Sequence, residues 1–161
     1  MKIEEVNGDL FSCDDKYALA HCISFDCKMG AGIASEFVKR YKNLKSEVSK
    51  VILDNHLDFR PMTVAYIDDK KIIFNLITKR KYYEKPTYTS LYRTLVELRD
   101  LCKKLDVKYL AMPKIGCGLD RLKWSEVKES IEDVFKDQDI EIKIFVKWRR
   151  KNLWKWTKME N

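Results

Sequence analysis

The chain has 161 residues, 45% of them apolar, which is enough for one globular domain with one sizeable core and too little for two. Its 32 lysines and arginines outnumber its 25 aspartates and glutamates, and the resulting net charge of +7 favours polyanionic or phosphate-bearing partners. The N-terminal segment lacks the apolar stretch of a secretory signal and no apolar run approaches the roughly 20 residues of a membrane span, so we expect an intracellular protein, in cytoplasm or nucleus, without membrane contacts.

The first part of the chain predicts two strands and then a helix. The segments KIEEV and YALAHCI are strand-like, and the second is apolar enough for the centre of a sheet. From Ala31 onward, apolar residues recur at every third or fourth position, with lysines and glutamates between them. They are Ile33, Phe37, Tyr41, Leu44 and Val48. This spacing predicts one amphipathic helix that begins directly after a glycine pair.

The rest of the chain continues the alternation of strands and helices. MTVAYID and KIIFNLIT predict a hairpin across the polar turn DDKK, and the leucines of TYTSLYRTLVELRDLCKKL predict a helix after Pro86. VKYLAMP, ended by Pro113, and the alternating IEIKIFV predict two further strands, with a helix over KWSEVKESIEDVF between them. The order β-β-α-β-β-α-β-α-β predicts an α/β domain whose mixed sheet is covered by helices on both faces.

The glycines form three clusters between the predicted elements. Gly8 lies in NGDLF, Gly30 and Gly32 in KMGAGI, and Gly116 and Gly118 in KIGCGLD. Loops beyond the carboxyl ends of strands bind ligands in α/β sheets, and glycine lets backbone N–H groups approach a phosphate. The dinucleotide fingerprint and the P-loop pattern are both absent. Each loop alone is therefore explained equally well as a phosphate site or as a small-residue cap that eases helix packing.

A combination of motifs is more specific than the glycines. GDLF, AHCIS, MGAGIA, LITK, KPTY and MPKIGCGLDRLKW occur in the order and spacing of macrodomains, and the chain most resembles the terminal ADP-ribose protein glycohydrolase branch. The resemblance covers about residues 2–146. It implies a macrodomain-like three-layer α/β/α sandwich over residues 1–147, with an ADP-ribose pocket at the C-terminal edge of a mixed central sheet. Residues 148–161 form a basic, Trp-rich tail outside it.

The resemblance also implies which residues bind the ligand. Asp9 and Leu10 would lie by the adenine, with Phe145 as a further adenine contact. Ser24 and the first glycine loop would line the diphosphate and distal ribose, and the second glycine loop would close over the diphosphate. The complete set is Asp9, Leu10, Ser24, Met29, Gly30, Ala31, Gly32, Ile33, Pro113, Lys114, Ile115, Gly116, Cys117, Gly118, Leu119 and Phe145.

Two residues carry the chemistry that the resemblance implies. Lys79 of LITK would attack the anomeric carbon of the distal ribose and form a covalent lysyl-ADP-ribose adduct, and Asp120 of GLD would act as its acid/base partner. A lysine ammonium must lose its proton before it can attack, and the neighbouring Arg80 and Lys81 favour that loss, whereas Asp120 opposes it while being placed to accept the proton. Alone, a Lys-Arg-Lys run is typical of a solvated face and an Asp after Gly-Leu of a turn.

Three functions follow from the resemblance. The first is a hydrolase that removes mono-ADP-ribose from glutamate and aspartate side chains and also deacetylates O-acetyl-ADP-ribose, with ADP-ribose and mono-ADP-ribosylated proteins as partners. The second is a binding module that only recognises ADP-ribose. The third is a glycohydrolase for ADP-ribosylated nucleic acid, held by the basic surface and the tail. No cofactor is expected, and we expect a monomer.

The cysteines and histidines indicate no metal site. Five cysteines are an odd set, which fits free thiols in a reducing compartment. His21, Cys22 and Cys27 lack the usual zinc-ligand spacing, so buried thiols are the better explanation. Cys117 is interpreted as a small loop residue rather than a reactive thiol, and His56 as a surface loop residue.

The C-terminal segment KWRRKNLWKWTKMEN alternates tryptophans with lysines and arginines. Cations beside aromatic platforms suit phosphate contact and base stacking, which predicts a nucleic-acid contact. A poorly ordered basic end, or tryptophans packed back on the domain, are the alternatives.

Overall fold

The structure, a computed structural model, describes residues 1–146, so the tail and its predicted boundary at residue 147 lie outside the described residues. The elements in chain order are β1 (Lys2–Asn7), β2 (Ala18–Ser24), α1 (Gly32–Arg40), α2 (Leu44–Asp54), β3 (Met62–Asp68), β4 (Lys71–Lys79), α3 (Tyr88–Lys104), β5 (Tyr109–Pro113), α4 (Trp124–Phe135) and β6 (Glu141–Val146). A 3-10 turn over Leu10–Ser12 follows β1. All six predicted strands are confirmed.

The six strands form one mixed sheet in the order β1-β6-β5-β2-β4-β3. β3 is antiparallel to β4 across the predicted hairpin turn, and every other neighbouring pair is parallel. Parallel strands end at the same edge, so β1, β6, β5, β2 and β4 bring their carboxyl ends together. The topology therefore creates one sheet edge at which loops from distant parts of the chain meet.

Two apolar cores lie on opposite faces of the sheet. Phe74 and Leu76 of β4 pack with α3 and α4 on one face. Their neighbours Ile73 and Ile77 point to the other face and pack with α1 and α2, as the two-residue period of a strand requires. The predicted three-layer α/β/α sandwich is thereby confirmed. No helix within residues 1–146 is long and apolar enough to cross a bilayer.

The single helix predicted from Ala31 through Val48 is wrong, because the chain forms two helices there. Tyr41 leaves the helical conformation with φ −123° and ψ 90°, and its carbonyl accepts a hydrogen bond from the Leu44 N–H at 3.1 Å. Phe37 of α1 and Leu44 and Val48 of α2 all bury against the same face of the sheet. The apolar spacing therefore continues across the break, and no glycine or proline marks it in the sequence.

A buried polar pair sits in the middle of the sheet. The Asn75 amide donates to the backbone carbonyls of Val64 and Ile73, at 3.1 and 3.2 Å, which leaves its Oδ1 to accept from His21 Nε2 at 2.7 Å. The imidazole is fully buried and stacks on Phe37 with the ring centroids 4.0 Å apart. Burial lowers the pKa of His21 to about 4, although the hydrogen bond to Asn75 acts in the opposite direction. His21 is therefore neutral at physiological pH.

This neutral histidine predicts a loss of stability under mild acid. An unfolded histidine has a pKa of about 6.5, so between this value and about 4 the unfolded chain binds the extra proton and the folded chain does not. Stability is full above pH 6.5 and falls with pH, and we expect the free energy of unfolding to be about 2 kcal/mol lower at pH 5 than at pH 7. Urea unfolding at the two pH values measures it.

The chain offers a matched control, since His56 is exposed and is its only other histidine. His56→Gln should keep the loss between pH 7 and pH 5, whereas His21→Gln should remove most of it. Equal unfolding free energies of the parent at both pH values would contradict the assignment.

Candidate active site

The predicted functional residues collect at the sheet edge where the parallel strands end. Ser24, Lys79 and Pro113 are the last residues of β2, β4 and β5. Asp9 follows β1 by two positions, and Phe145 is the penultimate residue of β6. The two glycine loops extend β2 and β5 beyond the same edge. The structure thus brings together residues that span nearly the whole described chain.

Lys79 and Asp120 form an ion pair at the centre of this edge. The Lys79 ammonium donates to Asp120 Oδ1 at 2.6 Å, and the two side chains are only 13% and 15% exposed. Lys79 is the last residue of β4 and Asp120 lies in the loop after β5, 41 positions further along the chain, so the tertiary fold brings the two together. A carboxylate at this distance holds the ammonium and is also placed to accept its proton.

A β-bulge sets the position of Lys79. Ile23 pairs with Ile77, but the next residue, Ser24, pairs with Lys79, so Thr78 is the extra residue on β4. Bulges commonly occur beside active sites because the added residue redirects the side chains that follow. The Thr78 hydroxyl is buried and has no hydrogen-bond partner within residues 1–146.

The second glycine loop presents Asp120. Gly116 has φ +73° and Arg121 has φ +62°, and the Leu122 N–H donates to the Gly116 carbonyl at 2.8 Å, which closes the loop. Lys85, on the segment after β4, donates to the Leu119 carbonyl at 2.6 Å. The residue immediately before Asp120 is therefore tied to the segment that follows Lys79.

Asp26 fastens the first loop to the same segment. Its carboxylate accepts from the Ser24 hydroxyl at 2.5 Å and from the backbone N–H groups of Tyr82 and Lys28, at 3.1 and 3.4 Å. Burial acts to raise the pKa of Asp26, but these hydrogen bonds and the charge of Lys81 outweigh it and lower the pKa overall. Asp26 is thus an ionised anchor that orients Ser24.

The sequence reasoning missed Asp26 and Lys85. Both act through partners that are distant in sequence, Tyr82 for Asp26 and Leu119 for Lys85. Asp26 follows Ser24 by two positions, which is the spacing of an ordinary loop capping interaction, so the sequence held no signal for its second role.

The four glycines of the two loops fall into two classes. Gly32 and Gly116 have φ of +61° and +73°, a conformation that other residues adopt at a disadvantage. A side chain at Gly118 would meet nothing within 4 Å, and one at Gly30 only a carbonyl oxygen 4.0 Å away. Gly32 and Gly116 are therefore required by the backbone conformation. Gly30 and Gly118 instead border open space, which a bound group can occupy.

The two glycine loops also meet each other. The nearest atom to a side chain built at Gly32 would be Cδ1 of Leu119, at 3.6 Å. Leu119 is otherwise 66% exposed. The first loop therefore lies against the tip of the second.

On the β1 side, the residues predicted to contact adenine have mixed environments. Asp9 is half-buried, and its Oδ1 caps the 3-10 turn by accepting from the Phe11 N–H at 3.0 Å. Leu10 is buried, as is Phe145, whose ring lies 3.8 Å from where a side chain of Gly8 would be. Because Gly8 has no side chain, no Cβ atom lies against the Phe145 ring at this part of the edge.

Lys114 directs its charge to the α4 side of the sheet. Its ammonium lies 3.9 Å from Glu5 Oε1 and 5.7 Å from the ring centroid of Trp124. Trp124 Nε1 donates to the same Glu5 oxygen at 2.8 Å. The second loop therefore offers a ligand its backbone N–H groups rather than this lysine.

The remaining candidates are the cysteines, a metal site and His56. All five cysteines carry free thiols, and burial raises the pKa of the Cys117 thiol even though the charge of Lys114 opposes the shift. Burial likewise raises the pKa of Cys22. Within residues 1–146, no group of three or more histidine, cysteine, aspartate or glutamate side chains is placed to hold a metal ion. His56 is exposed just after α2, as predicted.

Comparisons with known proteins identify relatives of this arrangement. The model of the Macro domain family matches residues 21–131. The human ADP-ribose glycohydrolase OARD1 is 41% identical over 145 residues, which cover 89% of this chain and 91% of that protein.

More distant relatives lie in mycobacteria. The DNA ADP-ribosyl glycohydrolase of Mycobacterium tuberculosis is 26% identical over 132 residues, 80% of this chain and 37% of that protein. The solved macrodomain of M. tuberculosis DarG superposes with a TM-score of 0.80 at 23% identity and covers 89% of this chain and 96% of that one. At this identity, the likeness of the structures concerns the fold.

The two glycine classes predict different effects of alanine substitution on stability. Gly116→Ala should reduce the free energy of unfolding by about 1–3 kcal/mol, because of the positive φ and because its Cβ would lie 3.0 Å from Leu122. Gly118→Ala should change it by less than about 0.5 kcal/mol, since nothing fills the space there. Urea unfolding of both variants tests the distinction, and equal destabilisation would refute it.

Proposed function

The chain belongs to the macrodomain family, and on this premise we propose that it is an ADP-ribose hydrolase that removes ester-linked mono-ADP-ribose from glutamate and aspartate side chains. The observation that carries the proposal is the Lys79–Asp120 pair, 2.6 Å apart and largely shielded from water at the sheet edge. The 41% identity to human OARD1, named an ADP-ribose glycohydrolase, supports the same activity. A module that only bound ADP-ribose would need no such pair.

In the first step, Lys79 transfers a proton to Asp120 and its free amine attacks the anomeric carbon of the distal ribose. The new bond joins Nζ to that carbon, and the bond from the carbon to the ester oxygen breaks, so the protein carboxylate leaves with the electron pair. The short distance between Nζ and Oδ1 places the proton acceptor where this transfer requires it.

In the second step, water replaces the lysine at the anomeric carbon. Asp120, having released its first proton to solvent, takes one from the attacking water, and the Lys79 amine leaves and is protonated again. The products are free ADP-ribose and the regenerated ion pair. O-acetyl-ADP-ribose also carries an ester on the distal ribose, and its deacetylation is a further activity in this proposal. That ester is formed by a ribose hydroxyl rather than at the anomeric carbon, so water adds to the acetyl carbonyl, the acyl C–O bond breaks, and acetate and the free hydroxyl are released.

The glycine loops position the diphosphate for this chemistry. Backbone N–H groups in loops and at a helix N-terminus bind anions, and α1 begins within the first loop at Gly32. The open space in front of Gly30 and Gly118 lets phosphate oxygens come close to the backbone. Ser24, oriented by Asp26, faces the same edge as Lys79 and suits a ribose hydroxyl.

A second candidate is a hydrolase of ADP-ribosylated nucleic acid. Residues 147–161 hold six lysines and arginines and one glutamate, so Lys147 and the tail together carry five of the seven net positive charges and residues 1–146 carry +2. Such a concentration of charge among tryptophans favours a nucleic-acid strand. The mycobacterial relative named a DNA ADP-ribosyl glycohydrolase supports this candidate.

Removing either member of the pair should abolish turnover. We expect Lys79→Ala and Asp120→Ala each to lower kcat on a glutamate-linked mono-ADP-ribosylated peptide by at least about a hundredfold, since each removes a nucleophile or a proton acceptor. Released ADP-ribose is the readout. Lys103→Ala, an exposed change near the C-terminal end of α3, is the charge-matched control for Lys79→Ala.

Two results would overturn this assignment. Full activity in both variants would exclude the mechanism, and a covalent adduct mapped by mass to a residue other than Lys79 would exclude the nucleophile. Binding of ADP-ribose by the parent without any turnover would instead favour a binding module.

Gly118→Ala tests the diphosphate site separately from the chemistry. Because its methyl group would occupy the open space in front of the loop, we expect the Kd for ADP-ribose to rise by about tenfold or more while the fold stays intact. Isothermal titration calorimetry measures it, with Lys103→Ala, an exposed change near the C-terminal end of α3 and outside the proposed site, as the control. An unchanged Kd in Gly118→Ala would place the diphosphate elsewhere.

A further inference from the structure

The segment that follows Lys79 forms an exposed aromatic turn beside the site. Residues 80–85, with the sequence RKYYEK, are named here the tyrosine turn, and the Glu84 N–H closes it by donating to the Lys81 carbonyl at 3.0 Å. Tyr82 and Tyr83 are 58% and 68% exposed, and their rings are T-shaped with centroids 5.3 Å apart. Neither ring belongs to the two apolar cores of residues 1–146, so both rings are accessible to a partner.

Two residues of the turn are hydrogen-bonded to the site. The Tyr82 N–H donates to Asp26, the anchor of Ser24, and Lys85 donates to the carbonyl of Leu119, the residue before Asp120. Three residues span at most about 11 Å of extended chain, so the Cα of Tyr82 lies within that distance of the Cα of Lys79. The turn is therefore a neighbour of the proposed nucleophile along the chain and is tied to two other parts of the site.

The turn is locally cationic within a nearly neutral domain. It holds Arg80, Lys81 and Lys85 against the single acid Glu84, whereas residues 1–146 as a whole carry only +2. Arg80 and Lys81 are exposed, and within residues 1–146 neither lies within 4.0 Å of a carboxylate oxygen in an ion pair. Both charges therefore lie on the exposed surface next to the two exposed rings, where that of Lys81 also acts on Asp26.

We propose that the tyrosine turn is the acceptor-binding surface for ADP-ribosylated single-stranded nucleic acid, with a base beside the linkage stacked on Tyr82 and Tyr83 and the adjoining phosphates at Arg80 and Lys81. Aromatic faces flanked by cations bind single strands without regard to sequence. An acidic peptide would use the cations but would leave both rings exposed. The inference rests on the proposed hydrolase activity of the same site and identifies which residues hold the acceptor.

The test compares three substrates: an ADP-ribosylated single-stranded DNA oligonucleotide, a glutamate-linked ADP-ribosylated peptide and O-acetyl-ADP-ribose. The variants are Tyr82→Ser/Tyr83→Ser and Arg80→Ser/Lys81→Ser in the full chain. Lys103→Ser/Lys104→Ser removes two exposed charges at the other end of α3, about 25 Å of helix away, and is the matched control. All variants keep the tail, so differences between them report the turn.

For the tyrosine variant, we expect the ratio of kcat/KM on the oligonucleotide to kcat/KM on the peptide to fall at least about fivefold, the loss of one stacked base. For the charge variant, the dependence of log KM for the oligonucleotide on log salt concentration should become shallower by about 1.4, corresponding to two phosphates on a single strand. The control should retain both values of the parent.

Distinct results overturn the two proposals. A parent that hydrolyses the peptide but not the oligonucleotide, or a tyrosine variant with an unchanged ratio, overturns the acceptor surface and leaves the hydrolase intact. A control variant that loses as much as the turn variants also overturns it, because the effect would then be one of net charge. A parent inactive on all three substrates overturns the proposed hydrolase itself.

Discussion

The ion pair between Lys79 and Asp120 is the interaction on which the architecture of the site depends. Each charge is largely shielded from water, so each needs the other, and loss of one partner leaves an uncompensated charge. Lys79 is the last residue of β4, and Asp120 lies in the loop between β5 and α4. Keeping the two within 2.6 Å therefore requires that the sheet edge and the loop be held rigidly relative to each other.

Some of the strained backbone conformations lie in the loops that hold the pair. Three of the six non-glycine residues with positive φ in residues 1–146 lie in the two loops of the site, namely Cys27, Met29 and Arg121, and the bulge at Thr78 adds an irregularity beside Lys79. Such conformations are disfavoured by about 1–3 kcal/mol each and persist when their surroundings determine them. The two cores on either face of the sheet, together with the Asp26 and Lys85 anchors, supply those surroundings.

The sequence predicted the strands and the helical layers better than the helix break and the contacts between loops. Strand alternation and helical spacing indicate which side chains are buried, so the six strands and both covering layers could be predicted. The break at Tyr41 could not be predicted, because α1 and α2 pack on the same face of the sheet and the apolar spacing continues across it. The glycine clusters predicted two loops that the structure places at the same sheet edge, and the family resemblance singled out Lys79 and Asp120, which form an ion pair there. The roles of Asp26 and Lys85 depend on partners set by tertiary structure, which no local pattern encodes.

The distribution of charge separates two kinds of anion recognition in this chain. The domain itself carries +2, and Lys114, the lysine of the second glycine loop, is paired with Glu5, so a diphosphate at the loops would be held by backbone dipoles rather than side-chain cations. Backbone dipoles release no condensed counterions, and binding of a small ligand there should depend weakly on salt. Cations at the tyrosine turn and in the tail lie outside the loops, where a long polyanion would release counterions. Salt dependence can therefore separate recognition of the ADP-ribose from recognition of the molecule that bears it.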